Sequence, residues 1–152
     1  MNNAIYKTKL GYFEIGYKEN YVISIKKTNY NCSKPNTKNS LTNLVYQQLN
    51  EYFEGERTIF TFPYKLIGTS FQIKVWEALI NIPYGETRTY KEIAIQINNE
   101  HSSRAVGNAN NRNPILIAVP CHRVIGSSGK LVGYSGGIDT KQKLLELEKN
   151  YK

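Results

Sequence analysis

Apolar and polar residues alternate through the first third of the chain. Segments 4–6, 12–17 and 21–27 are rich in β-branched and aromatic side chains and are parted by Lys9-Leu10-Gly11 and Lys18-Glu19-Asn20. That pattern predicts a small antiparallel sheet. Residues 29–40 carry Asn, Ser, Lys and Pro without apolar periodicity and read as a loop, with Cys32 inside it as a thiol of no assigned role. From Leu41 the apolar positions Leu44, Val45, Leu49, Tyr52 and Phe53 fall three and four apart, the spacing of an amphipathic helix that stops at Gly55. Segment 58–62 predicts one more strand, ended by Pro63.

A second unit begins near Leu66, which divides the chain into residues 1–65 and 66–152. Phe71, Val75, Trp76, Leu79 and Ile80 form another helical stripe, closed by Ile82-Pro83-Tyr84-Gly85. Thr89-x-x-Glu92 is a capping box, so a short helix starts at Tyr90 and buries Ile93, Ala94 and Ile97. A third helix over 102–110 carries Arg104 among small residues, and the two short helices suit a helix-turn-helix. The apolar run 115–119 predicts a buried strand leading into Pro120-Cys121-His122-Arg123. A Gly-rich excursion over 126–137 precedes a last helix, which packs through Leu144, Leu145 and Leu147.

Composition narrows the class. Of 152 residues, 40% are hydrophobic and 21% charged, which is globular rather than disordered. No apolar run approaches the roughly 20 residues of a membrane span, and the first residues do not read as a secretory signal. A cytoplasmic protein with no membrane association is expected. The net charge is +8, shared equally between the two units. Its local placement is uneven: residues 101–138 hold no acid but do hold Arg104, Arg112, Arg123 and Lys130. Such a segment suits a polyanion, nucleic acid first. Two cysteines and two histidines give neither a disulfide framework nor zinc-ligand spacing, so no metal site is expected.

The chemistry concentrates at Cys121. A rigid Pro120 precedes it, His122 follows it, and Arg123 adds positive charge, an arrangement that favours a thiolate nucleophile. A histidine base works best with a carboxylate behind it, and the last helix offers Glu146 and Glu148.

Pro120-Cys121-His122-Arg123-Val124-Ile125, followed by Tyr134-Ser135-Gly136-Gly137, resembles the active-site signature of the O6-alkylguanine-DNA alkyltransferases. The resemblance extends through Ser70-Phe71-Gln72, Val75-Trp76, Ile82-Pro83-Tyr84-Gly85, Thr89-Tyr90, Arg104-Ala105-Val106-Gly107 and Arg112-Asn113-Pro114, nearly without gaps over residues 69–148. It implies an α+β protein, with a small ribonuclease-H-like N-terminal domain followed by a winged-helix C-terminal domain. It also implies a monomer without cofactor that binds double-stranded DNA containing O6-alkylguanine through the minor groove, flips the base and takes its alkyl group once.

Carried over residue by residue, the resemblance makes Cys121 the acceptor and gives its proton to His122 through a water, with Glu148 orienting the imidazole. Asn113 braces the turn before the cysteine, and Tyr90 crowds the target phosphate and donates to the base. Arg104 fills the gap in the stack, with Ala105, Gly107, Asn110 and Arg112 beside it on the DNA-binding surface. Val124, Tyr134, Ser135 and Gly136 form the base pocket; the Cys121 and Val124 carbonyls receive the guanine amino group and the Ser135 N–H donates to O6. Departures are Asn111, where a glycine is usual in bacterial members, Ser70, expected to cap its helix where proline is common, and a varied wing at 131–133. The alternative is a damage sensor that binds alkylated DNA without transfer; relatives of that kind lack the cysteine.

Overall fold

Strands β1 (Asn2–Thr8), β2 (Gly11–Lys18) and β3 (Tyr21–Thr28) form an antiparallel sheet in that order, with Ile5 opposite Glu14 and Ile15 opposite Ile25. The computed structural model describes residues 1–29 and 33–152; the expectation about Cys32 lies outside those residues. Helix α1 (Ser40–Phe53) buries Val45, Leu49, Tyr52 and Phe53, and the Phe53 ring lies 6.1 Å from that of Phe13. Its start is fixed by Asn39, whose side chain accepts from the Thr42 N–H while the Thr42 hydroxyl accepts from the Asn39 N–H.

The strand expected over 58–62 is not there. The Gln48 side chain accepts from the Thr61 N–H at 2.9 Å and donates to the Thr61 hydroxyl at 2.7 Å, so a helix residue satisfies this segment where a neighbouring strand would have. Its Phe60 and Phe62 rings link Tyr52 of α1 to Tyr64 through tilted and edge-on contacts. Only beyond Pro63 does the chain pair, through an isolated bridge between Tyr64 and Val22.

By its contacts the chain divides into two units, Met1–Ile67 and Gly68–Lys152. The second opens with α2 (Ser70–Ile80), capped by Thr69 in a reciprocal pair with Gln72; the expected cap, Ser70, is already the first helical residue. Val75, Trp76 and Leu79 are buried, and Trp76 Nε1 donates to the Ala109 carbonyl at 2.8 Å. β4 (Arg88–Thr89) runs into α3 (Tyr90–Gln96) through the Thr89–Glu92 capping box read from the sequence. Helix α4 (Ser103–Asn111) follows, then a 3-10 turn (Cys121–Arg123), β5 (Val124–Ile125) and α5 (Ile138–Tyr151).

β4 and β5 are parallel, with Arg88 opposite Val124 and Thr89 opposite Ile125. This register matters for the site, because Tyr90 leaves one strand where the cysteine turn enters the other. The run 115–119 is buried as expected but is not a strand. Ile117 takes a left-handed φ of 74°, and the Ala118 and Val119 N–H groups donate back to the Leu116 and Ile115 carbonyls. The apolar run reports burial, and a tight loop bonded to itself achieves it. No helix among the described residues is long and apolar enough to cross a membrane.

The Trp76 bond ties α2 to the end of α4 inside the core. Trp76→Phe keeps most of the apolar volume but leaves the Ala109 carbonyl with the Arg112 N–H alone, a change expected to cost about 0.5–1.5 kcal/mol. Urea unfolding followed by far-ultraviolet circular dichroism checks this; an unchanged midpoint would show that the bond contributes nothing.

Candidate active site

Cys121 is 1% exposed and opens the 3-10 turn, held from both sides. Its N–H donates to the Val119 carbonyl at 2.8 Å. Asn113 braces the loop before it: Nδ2 donates to the Val119 carbonyl at 2.7 Å and Oδ1 accepts from the Ile115 N–H at 3.0 Å. From α4, Asn110 Nδ2 donates to the Cys121 carbonyl at 3.3 Å.

Behind the turn, four N–H donors converge on the Glu148 carboxylate. His122 Nε2 lies 2.6 Å from Oε2, Arg123 Nε and Nη2 reach the two oxygens at 2.8 and 2.9 Å, and the Gly85 N–H reaches Oε1 at 3.0 Å. Arg123 Nη1 closes the cluster on the Ile82 carbonyl at 2.7 Å. The guanidinium and the imidazole hold the carboxyl well below the ordinary carboxylate range although burial opposes them. An ionised Glu148 fixes the proton on Nε2, which leaves Nδ1 as the basic nitrogen of a neutral imidazole. Burial lowers the His122 pKa further than Glu148 raises it.

Two expectations are corrected. Arg123 is 7% exposed and committed to Glu148, so it neither counts among the phosphate-facing cations nor makes the cysteine a thiolate. Burial instead pushes the Cys121 thiol up to about 11, against the Asn113 amide and the Lys141 charge. Cys121 rests as a thiol, and the imidazole that follows it is neutral. Asn110 is also corrected: at 1% exposure its side chain faces the cysteine turn rather than the outer face of α4.

Lys141 was not singled out from the sequence, yet it is fully buried, with Nζ donating to the Val124 carbonyl at 2.6 Å and to the Val132 carbonyl at 3.1 Å. The available signal was periodic: Lys141, Leu144 and Glu148 share one face of α5, and a cation within an apolar stripe implies a partner. Glu146, the other carboxylate considered, is exposed beside Gln142.

The remaining residues surround a cleft of about 580 Å³ between the start of α3, the outer face of α4 and the wing. Tyr90, Arg104, Gly107, Asn111, Val132 and Gly133 line it. Cys121 does not, being buried. Tyr90 is half-buried and donates from its hydroxyl to the Val132 carbonyl at 3.1 Å; burial raises its pKa while the Asn110 amide opposes the shift. Arg104, Ala105, Arg112 and Lys130 are exposed, as is Ser135. Asn111 packs its amide 2.9 Å from where a Cβ on Gly133 would stand, and Gly133 takes a left-handed φ of 51° that favours glycine there. Tyr134 is buried, and its ring would sit 2.6 Å from a Cβ at Gly136.

Fold and site together define a two-unit protein whose second unit sets a winged helix-turn-helix around a buried Cys-His-Glu array. The model of the 6-O-methylguanine DNA methyltransferase ribonuclease-like domain matches residues 1–66, and that of the same family's DNA-binding domain matches residues 70–150. The chain belongs to this family. The methylated-DNA–protein-cysteine methyltransferase of Mycobacterium tuberculosis is 63% identical over 68% of this chain and 62% of its own length. That of Methanosarcina barkeri is 59% identical over 68% and 66%. The sequence matches thus span under two thirds of these relatives. A crystal structure of Mycobacterium tuberculosis OGT in complex with DNA superposes with a TM-score of 0.91 at 43% identity, covering 99% of this chain and 94% of that one.

The Glu148 cluster makes stability depend on pH. His122, lowered when folded, contributes stability that is full above its unfolded pKa of 6.5 and is lost as pH falls. Glu148, also lowered, acts in the same direction but only below its unfolded 4.5. Urea stability is therefore expected to fall between about pH 7.5 and about pH 5, and His122→Gln is expected to flatten that slope. An unchanged slope in the variant would show that His122 titrates as it does in the unfolded chain.

Proposed function

We propose that the protein is a DNA-repair transferase that takes an alkyl group from O6 of guanine in duplex DNA onto Cys121, once per molecule. The observation that carries this reading is the buried Cys121 thiol on a turn whose next residue, His122, is locked on Glu148 at 2.6 Å. Family membership and the names of the relatives support the reaction class, and the relative crystallised with DNA supports the partner.

In the proposed reaction the His122 imidazole takes the thiol proton, Cys121 Sγ bonds to the alkyl carbon, and the carbon–O6 bond breaks to release guanine. The Tyr90 hydroxyl and the Ser135 N–H stabilise the base as charge develops on O6, and Tyr90 exchanges its bond to Val132 for one to the base. The thioether has no route back to a thiol, which ends the molecule's activity. Arg104 on exposed α4 replaces the extruded base in the stack, while Arg112 and Lys130 face phosphates. A free thiol acceptor suits the reducing cytoplasm. A sensor that binds without transfer has no need of a nucleophile with a base behind it.

Incubation with duplex carrying labelled O6-methylguanine is expected to place one methyl on the Cys121 peptide, read by mass spectrometry. Cys121→Ser is expected to abolish labelling and keep DNA binding. Transfer by the variant, or a methyl on Cys32, would overturn the assignment.

Arg104→Ala separates base extrusion from chemistry. Extrusion costs a few kcal/mol and is cheaper for a weakly paired lesion, while the free base needs none. The single-turnover rate is expected to fall about tenfold, or about 1.4 kcal/mol, on a lesion opposite C. The loss should be smaller opposite T and absent on free O6-methylguanine. Equal losses on all three would assign Arg104 to the fold or the chemistry.

A further inference from the structure

The Asn110 side chain is buried on α4, and its two ends are treated differently. Nδ2 donates to the Cys121 carbonyl at 3.3 Å, while Oδ1 accepts from no donor among the described residues. A buried acceptor without a partner is costly, and native structures keep few of them. Turning the amide over offers no remedy, because it would set one carbonyl oxygen against another. The same amide neighbours Tyr90, so its unpaired Oδ1 belongs to a group that touches both the Cys121 turn and the phenol. The Tyr134 hydroxyl, beside Cys121, is a second buried polar atom without a partner. Two such atoms near one cysteine leave unmet hydrogen-bonding capacity beside the sulfur.

The two backbone carbonyls that the resemblance assigns to the guanine amino group each already accept one hydrogen bond. Lys141 Nζ holds the Val124 carbonyl at 2.6 Å, and Asn110 itself holds one side of the Cys121 carbonyl. A guanine amino group brings two N–H donors and needs two acceptors. We propose that Asn110 Oδ1 is a specificity-determining acceptor of the base pocket, taking one N–H of the exocyclic 2-amino group of the extruded O6-alkylguanine beside the Cys121 carbonyl. This rests on the transferase reading above. It makes the pocket read the 2-amino group through a side chain as well as through backbone, and a base lacking that group leaves Oδ1 unpaired.

The test compares single-turnover methyl transfer from O6-methylguanine and from O6-methylhypoxanthine, which differs only in lacking the 2-amino group, in the same duplex. Wild-type protein is expected to react about tenfold faster with methylguanine, and Asn110→Leu and Asn110→Ala to bring the two rates within about threefold by slowing methylguanine more than methylhypoxanthine. Equal losses on both substrates would show that Asn110 only braces the cysteine turn. A wild-type ratio near one would overturn the proposal without any variant, should both variants fail to fold. Wild-type protein that takes no methyl from either duplex would overturn the transferase reading, and this proposal with it.

Discussion

A single buried carboxylate organises the second unit. Glu148 on α5 draws in the Gly85 N–H from the turn after α2, His122 and Arg123 from the cysteine turn, and through Arg123 the Ile82 carbonyl. Segments far apart in sequence thus meet at one charge. A buried carboxylate is tolerable only when its lone pairs are filled, so the arginine is as necessary to Glu148 as the histidine is. Removing Arg123 leaves a buried charge uncompensated, and removing the neutral His122 leaves one of its lone pairs unfilled. The acid also decides which nitrogen of His122 carries the proton, and so which one can act as a base.

The same burial that makes this cluster costly decides the state of the nucleophile. Cys121 rests as a thiol because desolvation outweighs the Asn113 amide and the Lys141 charge. His122 stays neutral because desolvation outweighs Glu148. A protonated thiol beside a neutral base is less reactive at rest than an ion pair would be, and it is protected from chance electrophiles and oxidants. Under the proposed single-use transfer, a quiet resting state has a clear use.

Much of this was legible in the sequence, and the failures have common causes. Local signals held: the Thr89–Glu92 box starts α3 where expected, and the three-and-four spacing placed α1, α2 and α5. What failed was decided by partners distant in the chain. Segment 58–62 has strand composition but is satisfied by the Gln48 side chain, and run 115–119 is held as a loop by Asn113. Arg123 looked like a surface cation because the carboxylate that claims it lies 25 residues away. Lys141 escaped notice for the same reason, its two acceptors being backbone carbonyls that composition does not reveal.

The basic segment 101–138 therefore holds cations of two kinds, and counting charge does not separate them. Arg104, Arg112 and Lys130 are exposed and free to meet a polyanion, whereas Arg123 is an internal clamp. The division follows the geometry of α4. Its outer face presents Arg104 and Ala105, while its last turns send Asn110 inward to the Cys121 carbonyl and give the Ala109 carbonyl to Trp76. One short helix thus carries an exposed basic face and the amide that touches the Cys121 turn. A displacement of α4 on binding would be felt at Cys121 through Asn110 without any long-range pathway, because the two are joined by one hydrogen bond.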